Sequence, residues 1–360
     1  MLAFFITLLL IPLFALFAVW AERKVSAYVQ DRYGPTEVGF NGLLQTLADI
    51  IKLFLKEDVT PTDADKRLFR FAPLIIFAAV FAGFAVIPLS TDVMGSGAEA
   101  GVFYLLAIVS IDIIGLIMAG WGSGSKFSVL GSLRAIAQVI SYEIPLGLSI
   151  VAAVMICQSL NLQEISIQQG IFFHESNYLF GLSFLGIDMK NVGGIFTWNI
   201  FRAPVLIPVY VIFFIASLAE CNRAPFDLPE AESELVAGYN TEYSGFRWAL
   251  LFLAEYALML LVAMLGVILF LGSWNTAFPN IGSLRLADWT SGIPGTWSGN
   301  LWSSFWLFSK TLLIVFLQMM ARWTYPRLRV DQLMYLCWKV LTPAALVLIF
   351  LSGAWRLWMI

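Results

Sequence analysis

An all-α, polytopic membrane protein with about eight transmembrane helices, one amphipathic surface helix and both termini on the outer face is predicted by three features. Of the 360 residues, 60% are hydrophobic and only 12% charged, whereas an average soluble domain is nearer half apolar and a quarter charged. Apolar runs near the ~20 residues that cross a bilayer recur along the whole chain. Basic residues gather in alternate connections, as they do where loops face the cytoplasm. We therefore expect a single membrane domain over 1–360.

The first apolar run, 2–21, has no basic residue ahead of it, and charge arrives only at Glu22, Arg23 and Lys24. A cleaved signal peptide has the opposite order. The run reads as a first span with its N-terminus outside, and no mitochondrial transit pattern is visible. Further spans are expected near 71–90, 101–120, 143–160, 202–220, 247–272, 301–321 and 339–358. The intervening loops 22–70, 121–142, 221–247 and 322–339 then face the cytoplasm. They hold eight, two, two and four of the 21 Lys and Arg residues, which supports that orientation.

Within the first of these loops, Leu43, Leu44, Leu47, Ile50, Ile51, Phe54 and Leu55 recur at helical spacing, with Gln45, Asp49, Lys52 and Lys56 on the opposite stripe. That pattern predicts a helix lying along the membrane surface. Tyr33, Gly34 and Pro35 form a turn ahead of it, and Pro61 closes the region. The outer segments 161–200 and 273–300 are richer in Gly, Ser, Asn, Gln and Trp and read as loops with short helices. Three widely spaced cysteines, Cys157, Cys221 and Cys337, and the single His174 make no metal-ligand cluster and no cysteine-held iron–sulfur site.

Ionisable groups inside spans are costly and point to function. Here they are Asp112, Glu143, Glu220, Glu255 and Lys310. Carboxyls in a low-dielectric setting can take up and release protons near neutral pH, so a row of them can relay protons. The structural alternative is that each pairs with a base to lock two helices. From Glu220 to Glu242 a loop carries six carboxylates, among them Asp227, Glu230, Glu232 and Glu234, against one base, Arg223. Such a loop breaks the chain's own charge rule. It can dock on a basic partner, or form an acidic funnel that answers a bound ligand. Phe226, between Pro225 and Asp227, suits an apolar slot ending in polar groups.

Four stretches, AERKVSAYVQDRYGP (Ala21–Pro35), GLLQTLADIIKLFLKED (Gly42–Asp58), GWGSGSKFSVLGSLRAIAQVISYEIPLG (Gly120–Gly147) and AECNRAPFDLPEAESELVAGYNTEYSGFRWALLFLAEY (Ala219–Tyr256), resemble the NuoH family of the proton-pumping NADH-quinone oxidoreductase, complex I. They lie in family order and cover the cytoplasmic loops and adjoining span ends. Thr36 stands where the family usually has Asn, and Asp112 is displaced from an acidic residue that some bacterial members carry.

The resemblance implies a multi-pass subunit of a prokaryotic inner membrane, part of a translocase that forms the quinone chamber with the peripheral arm and couples quinone reduction to proton translocation. Quinone is then the substrate. Flavin and iron–sulfur centres belong to partner subunits, the neighbours are other peripheral-arm and membrane-arm subunits and lipid, and no nucleic acid is involved. Carried onto this chain, the family's quinone-facing positions are Arg23, Arg32, Asp49, Lys52, Arg223, Phe226, Asp227 and Arg322. Its proton-coupling positions are Glu143, Glu220 and Glu255, with Glu230, Glu232 and Glu234 beside them. Three rival readings exist: the related subunit of a membrane-bound hydrogenase, a secondary cation transporter, and a purely structural anchor. The motifs named above favour the quinone enzyme over the hydrogenase. Lack of an internal repeat and of helices broken at midspan weighs against the transporter, and an anchor has no need of six acids in one loop.

Overall fold

The computed structural model describes residues 2–172, 178–181, 188–228, 237–280, 285–291 and 293–359. His174, Glu230, Glu232 and Glu234 lie outside them. The helices in chain order are α1 (Leu2–Val29), α2 (Gln45–Leu55), α3 (Lys66–Gly83), α4 (Gly101–Val109), α5 (Asp112–Gly122), α6 (Lys126–Cys157), α7 (Leu162–Gln168), α8 (Met189–Val192), α9 (Asn199–Arg202), α10 (Leu206–Glu220), α11 (Gly245–Phe270), α12 (Leu286–Thr290), α13 (Trp297–Thr324), α14 (Val330–Tyr335) and α15 (Thr342–Met359). Among the described residues no β-strand forms beyond isolated bridges. Among the described residues, seven segments are long and apolar enough to cross a membrane, and α10 is a shorter apolar helix. The architecture is that of a polytopic helical membrane protein.

Helix α11 is the axis of the bundle. Its most apolar stretch is 83% buried against 22% for α1 and for the last span, as expected of a helix that is hydrophobic all round. It packs on α1, α3, α10 and α13, while α6 lies against α5, α10 and α15. The outward faces of α1, α13 and α15 leave Leu9, Leu13, Leu313, Phe316, Val347 and Phe350 exposed. In a soluble protein such a surface would aggregate; in lipid it is the solvated face.

Several helices overrun the apolar runs that predict them. α1 continues to Val29 and α6 begins at Lys126, so most of 121–142 is helix and not loop. The reason is local: Ser128, Ser132 and Gln138 sit on the buried face of α6, where Ser132 Oγ donates to Val129 O at 2.9 Å and Gln138 Nε2 to Ala219 O at 2.8 Å. α10 starts late, because Pro204 forces Ala203 out of the helical region (φ −135°, ψ 109°). The expectation of unbroken helices needs correcting, since the third span is interrupted at Ser110 and Ile111. Both residues keep right-handed helical dihedrals, and Ile111 N–H bonds the carbonyl three residues back, at 3.1 Å. The break is a tightened turn and not an unwound stretch.

Prolines inside spans free carbonyls that lipid cannot satisfy, and the fold answers two of them with side chains. Pro145 frees Ser141 O, which accepts the Cys337 thiol at 3.0 Å. Pro73 frees Phe69 O, which accepts the Tyr243 hydroxyl at 3.3 Å, while the Tyr243 ring stacks on Phe69 at 4.2 Å between centroids. Cys337 lies in a π-helical turn, Leu336–Leu341, that joins α14 to α15. Lys310, buried midway along α13, donates to Leu271 O (2.8 Å) and Ser273 O (2.9 Å) and stands 4.4 Å from the Trp198 ring centroid. It thereby caps the negative C-terminal end of α11.

Cys337→Ala leaves Ser141 O without its donor and should cost about 1 kcal/mol. The expected result is a lowered thermal midpoint of the detergent-solubilised protein, with Cys337→Ser close to wild type; equal midpoints for all three would exclude the thiol bond.

Candidate functional site

On α1 the buried residues Ile11, Ala15, Ala18, Glu22 and Ser26 follow one helical stripe. Glu22 thus belongs to the packed face, although in sequence it looks like the first residue of a polar loop. Its carboxylate accepts Arg223 Nη1 at 3.0 and 3.2 Å, together with Arg322 of α13 and the Tyr256 hydroxyl of α11. The Arg223 guanidinium also lies 4.4 Å from the Tyr256 ring centroid. Burial alone would favour a neutral Arg223; Glu22, then Tyr256 and Glu255, more than reverse this and keep it charged. Beside the cluster, Asp227 pairs with Arg327 at 3.0 Å, and Phe226 packs against Tyr142 with centroids 5.3 Å apart.

Between α1, α2 and α11 lies a cavity of about 290 Å³, walled by apolar residues that include Ala15, Val19, Leu53, Phe246, Trp248 and Phe252. Its polar edge is the pair Arg23–Asp49, 2.6 Å apart, with Gln45 Nε2 donating to the second Asp49 oxygen at 3.0 Å. α2 is held over this space from both sides. Thr46 Oγ1 donates to Leu16 O at 3.1 Å, Phe54 stacks on Phe246 at 5.2 Å, and just beyond α2 Arg247 pairs with Asp58 at 2.8 Å. Gly42 sets the approach to α2: with φ +75°, a Cβ there would lie 2.1 Å from Pro35 O. The surface of α2 turned from the bundle exposes Leu47, Ile51 and Leu55.

The intramembrane carboxylates converge on Glu220, at the end of α10. A cavity of about 20 Å³, room for roughly one water, is lined by Asp112, Glu220, Tyr239 and Glu255 together with Cys221, Asn222 and apolar neighbours. Oδ1 of Asp112 and Oε2 of Glu220 are buried and accept no hydrogen bond among the described residues. A second space on the other side of Glu220 is lined by Glu143 and Ser110 among leucines and valines, and Ser110 bonds Glu143. Asp112 therefore joins the row and does not face lipid-side neighbours.

The structure brings Arg23 and Asp49 together at the cavity, and Arg223 and Arg322 together on Glu22. Phe226 and Asp227 are buried beside that cluster and do not line the apolar cavity. Arg32 stays outside both: it bonds Gln30 at 2.7 Å and Ser26 at 3.4 Å. Lys52 is exposed on α2. Three members of these clusters escape a reading of the sequence: Glu22, Tyr256 and Tyr239. The spacing of Glu22 from Ile11, Ala15 and Ala18 is the signal that places it inward. No group of His, Cys, Asp and Glu suited to a metal occurs among the described residues.

Comparison with known proteins places this geometry in a family. The family model described as NADH dehydrogenase matches residues 2–353. A NADH-quinone oxidoreductase H-subunit of Cytophaga hutchinsonii, the one numbered 2, is 64% identical over 98% of each chain. The H-subunit of the same enzyme from Chlorobium luteolum is 46% identical over 98% of this chain and 88% of its own length, and that of Chlorobaculum tepidum 47% over 97% and 90%. With both the family model and these relatives aligned over almost all of it, the chain belongs to the H-subunit (NuoH) family of NADH-quinone oxidoreductase.

Proposed function

We propose that this chain is the membrane subunit of complex I that receives quinone from the bilayer and couples its reduction to proton translocation. The observation that carries the reading is a linkage through two pairs of consecutive residues. On α1, Arg23 reaches the apolar cavity while its neighbour Glu22 enters the buried ion cluster. On α11, Tyr256 enters the same cluster while its neighbour Glu255 faces the carboxylate cavity. An apolar slot, a buried ion cluster and a row of proton carriers are thus joined without a gap.

The slot suits an isoprenoid-tailed quinone: apolar walls take the tail, and the guanidinium of Arg23, held by Asp49, offers N–H donors to a carbonyl oxygen of the head group. Quinone reduction takes up two electrons and two protons. The electrons come from flavin and iron–sulfur centres on partner subunits. What this chain's residues do is position the head group, answer its change of charge through Arg23 and Glu22, and pass protons among Glu255, Asp112, Glu220 and Glu143. The acidic residues Glu230, Glu232 and Glu234, outside the described residues, would add further proton sites, and Arg32 and Lys52 would serve the slot's outer approach. Partner subunits of the peripheral and membrane arms, a prokaryotic inner membrane, and a cytoplasmic position for the basic loops all follow from this assignment.

Glu220→Gln and Glu255→Gln are expected to assemble, to transfer electrons in the presence of a protonophore and to lose most proton pumping. Wild-type pumping by both would rule out the row. Filling the slot with Leu53→Trp should lower electron transfer to long-tailed quinones about tenfold or more, since overpacked apolar space costs roughly 1–3 kcal/mol; short-tailed quinones should be less affected, and an unchanged rate for both classes would remove the slot from the quinone path. Glu22→Gln strips a buried Arg223 of its anion and should cost about 3–5 kcal/mol, seen as a fall in assembled complex and in its thermal midpoint.

A further inference from the structure

Five buried or half-buried tyrosines line the contacts described above or their surroundings, and the partners of their hydroxyls separate them. Tyr142 donates to Leu333 O at 3.0 Å and Tyr243 to Phe69 O, which are backbone bonds that fasten helices. Tyr256 serves the Glu22 ion cluster. Tyr210 sits among Phe213 and Phe270. Tyr239 alone of these donates to a member of the carboxylate row, Glu255 Oε1, at 3.1 Å, and also lines the one-water cavity shared with Asp112 and Glu220.

From this geometry we infer that Tyr239 is a proton-relay residue, its hydroxyl joining the water-sized cavity between Asp112 and Glu220 to Glu255. The inference rests on the coupling function proposed above. The step needs no tyrosinate: a proton arriving from the cavity forms a bond to Tyr239 Oη as the original O–H bond breaks toward Glu255 Oε1, so one proton enters, one leaves, and the ring stays neutral. Rotation of the hydroxyl restores the starting state.

The chain spends local structure on placing this group. Residues Gly238–Asn240 form a 3₁₀ turn pressed onto α6, where a Cβ on Gly131 would lie 2.6 Å from Gly238 Cα and 3.0 Å from Tyr239 N. Gly238 has φ +56°, a conformation that favours glycine. The titratable groups facing the hydroxyl are Asp112 from α5, Glu220 and Cys221 at the end of α10, and Glu255 from α11. Phe69, Ala72 and Ile76 of α3 and Ala135 of α6 belong to the same apolar cluster as the Tyr239 ring. A hydroxyl in such a nest is costly unless bonded, and a phenylalanine would fill the ring's space equally well.

The test is Tyr239→Phe in the whole complex, purified and reconstituted in liposomes. With a protonophore present, NADH oxidation by quinone should stay within about twofold of wild type, whereas protons pumped per NADH should fall by at least about fivefold, in keeping with the loss of a single proton-transfer group. Wild-type pumping across the working pH range overturns the relay. Should Tyr239→Phe assemble poorly, a fluorinated tyrosine incorporated at position 239 keeps the shape and makes the phenol more acidic; the pH profile of pumping should shift and that of electron transfer should not, and an unmoved pumping profile overturns the relay equally. If Glu220→Gln and Glu255→Gln stop pumping and Tyr239→Phe does not, only the relay fails. If all three pump normally, the coupling reading beneath it fails.

Discussion

One buried carboxylate, Glu22, holds the parts of this molecule in register. Two arginines and a tyrosine reach it from the segment after α10, from α13 and from α11, so the first helix is tied to three others at a single point. Removing two charges from water costs several kcal/mol per ion, and only close geometry with further hydrogen bonds recovers it. The cluster therefore exists in one arrangement of the four segments. That arrangement fixes how α1 and α11 stand relative to one another, and they form the walls of the cavity that α2 covers. Position of the slot and position of the ion cluster are two aspects of one constraint.

Lipid imposes the second constraint. With no water to satisfy backbone groups, every irregularity in a span needs a partner from a neighbouring helix. Pro145 and Pro73 are tolerated because Cys337 and Tyr243 donate to the carbonyls they release, and the C-terminal carbonyls of α11 are taken by Lys310. The two bonds that answer prolines fall close to the carboxylate row: Ser141 is two residues from Glu143, and Tyr243 follows the turn that holds Tyr239. Local irregularity and buried carboxylates share the same places because both require polar groups to be brought into the bundle.

How far the sequence reveals this depends on which atoms act. Apolar runs announce the spans, and the amphipathic stripe of α2 announces a surface helix. Arg23 and Asp49 are marked only by the family resemblance, while the carboxylates Asp112, Glu143, Glu220 and Glu255 stand out as ionisable groups within apolar runs. Glu22 does not, since it opens a run of charges and the helix continues past the point where polarity begins. Lys310 cannot be assigned from sequence, because its partners are carbonyl oxygens that every residue possesses. Tyr239 is hidden by its setting in a short 3₁₀ turn, where no periodicity marks the inward face. The broken third span escapes for a similar reason: Ser110 and Ile111 are ordinary helix residues that keep right-handed helical dihedrals, so nothing in their side chains marks the tightened turn.

Linkage through consecutive residues has a geometric basis. Adjacent side chains on a helix point about 100° apart, so Glu22 and Arg23 serve two different compartments while sharing one stretch of backbone, and Glu255 and Tyr256 do the same on α11. A displacement that moves Arg23 must carry Glu22 with it, and one that moves Tyr256 must carry Glu255. Coupling between distant sites requires an element with two arrangements that both sites bias. In this fold α1 and α11 each place one residue in the ion cluster and its chain neighbour at one of the two cavities, so they are the segments that both cavities share with Glu22.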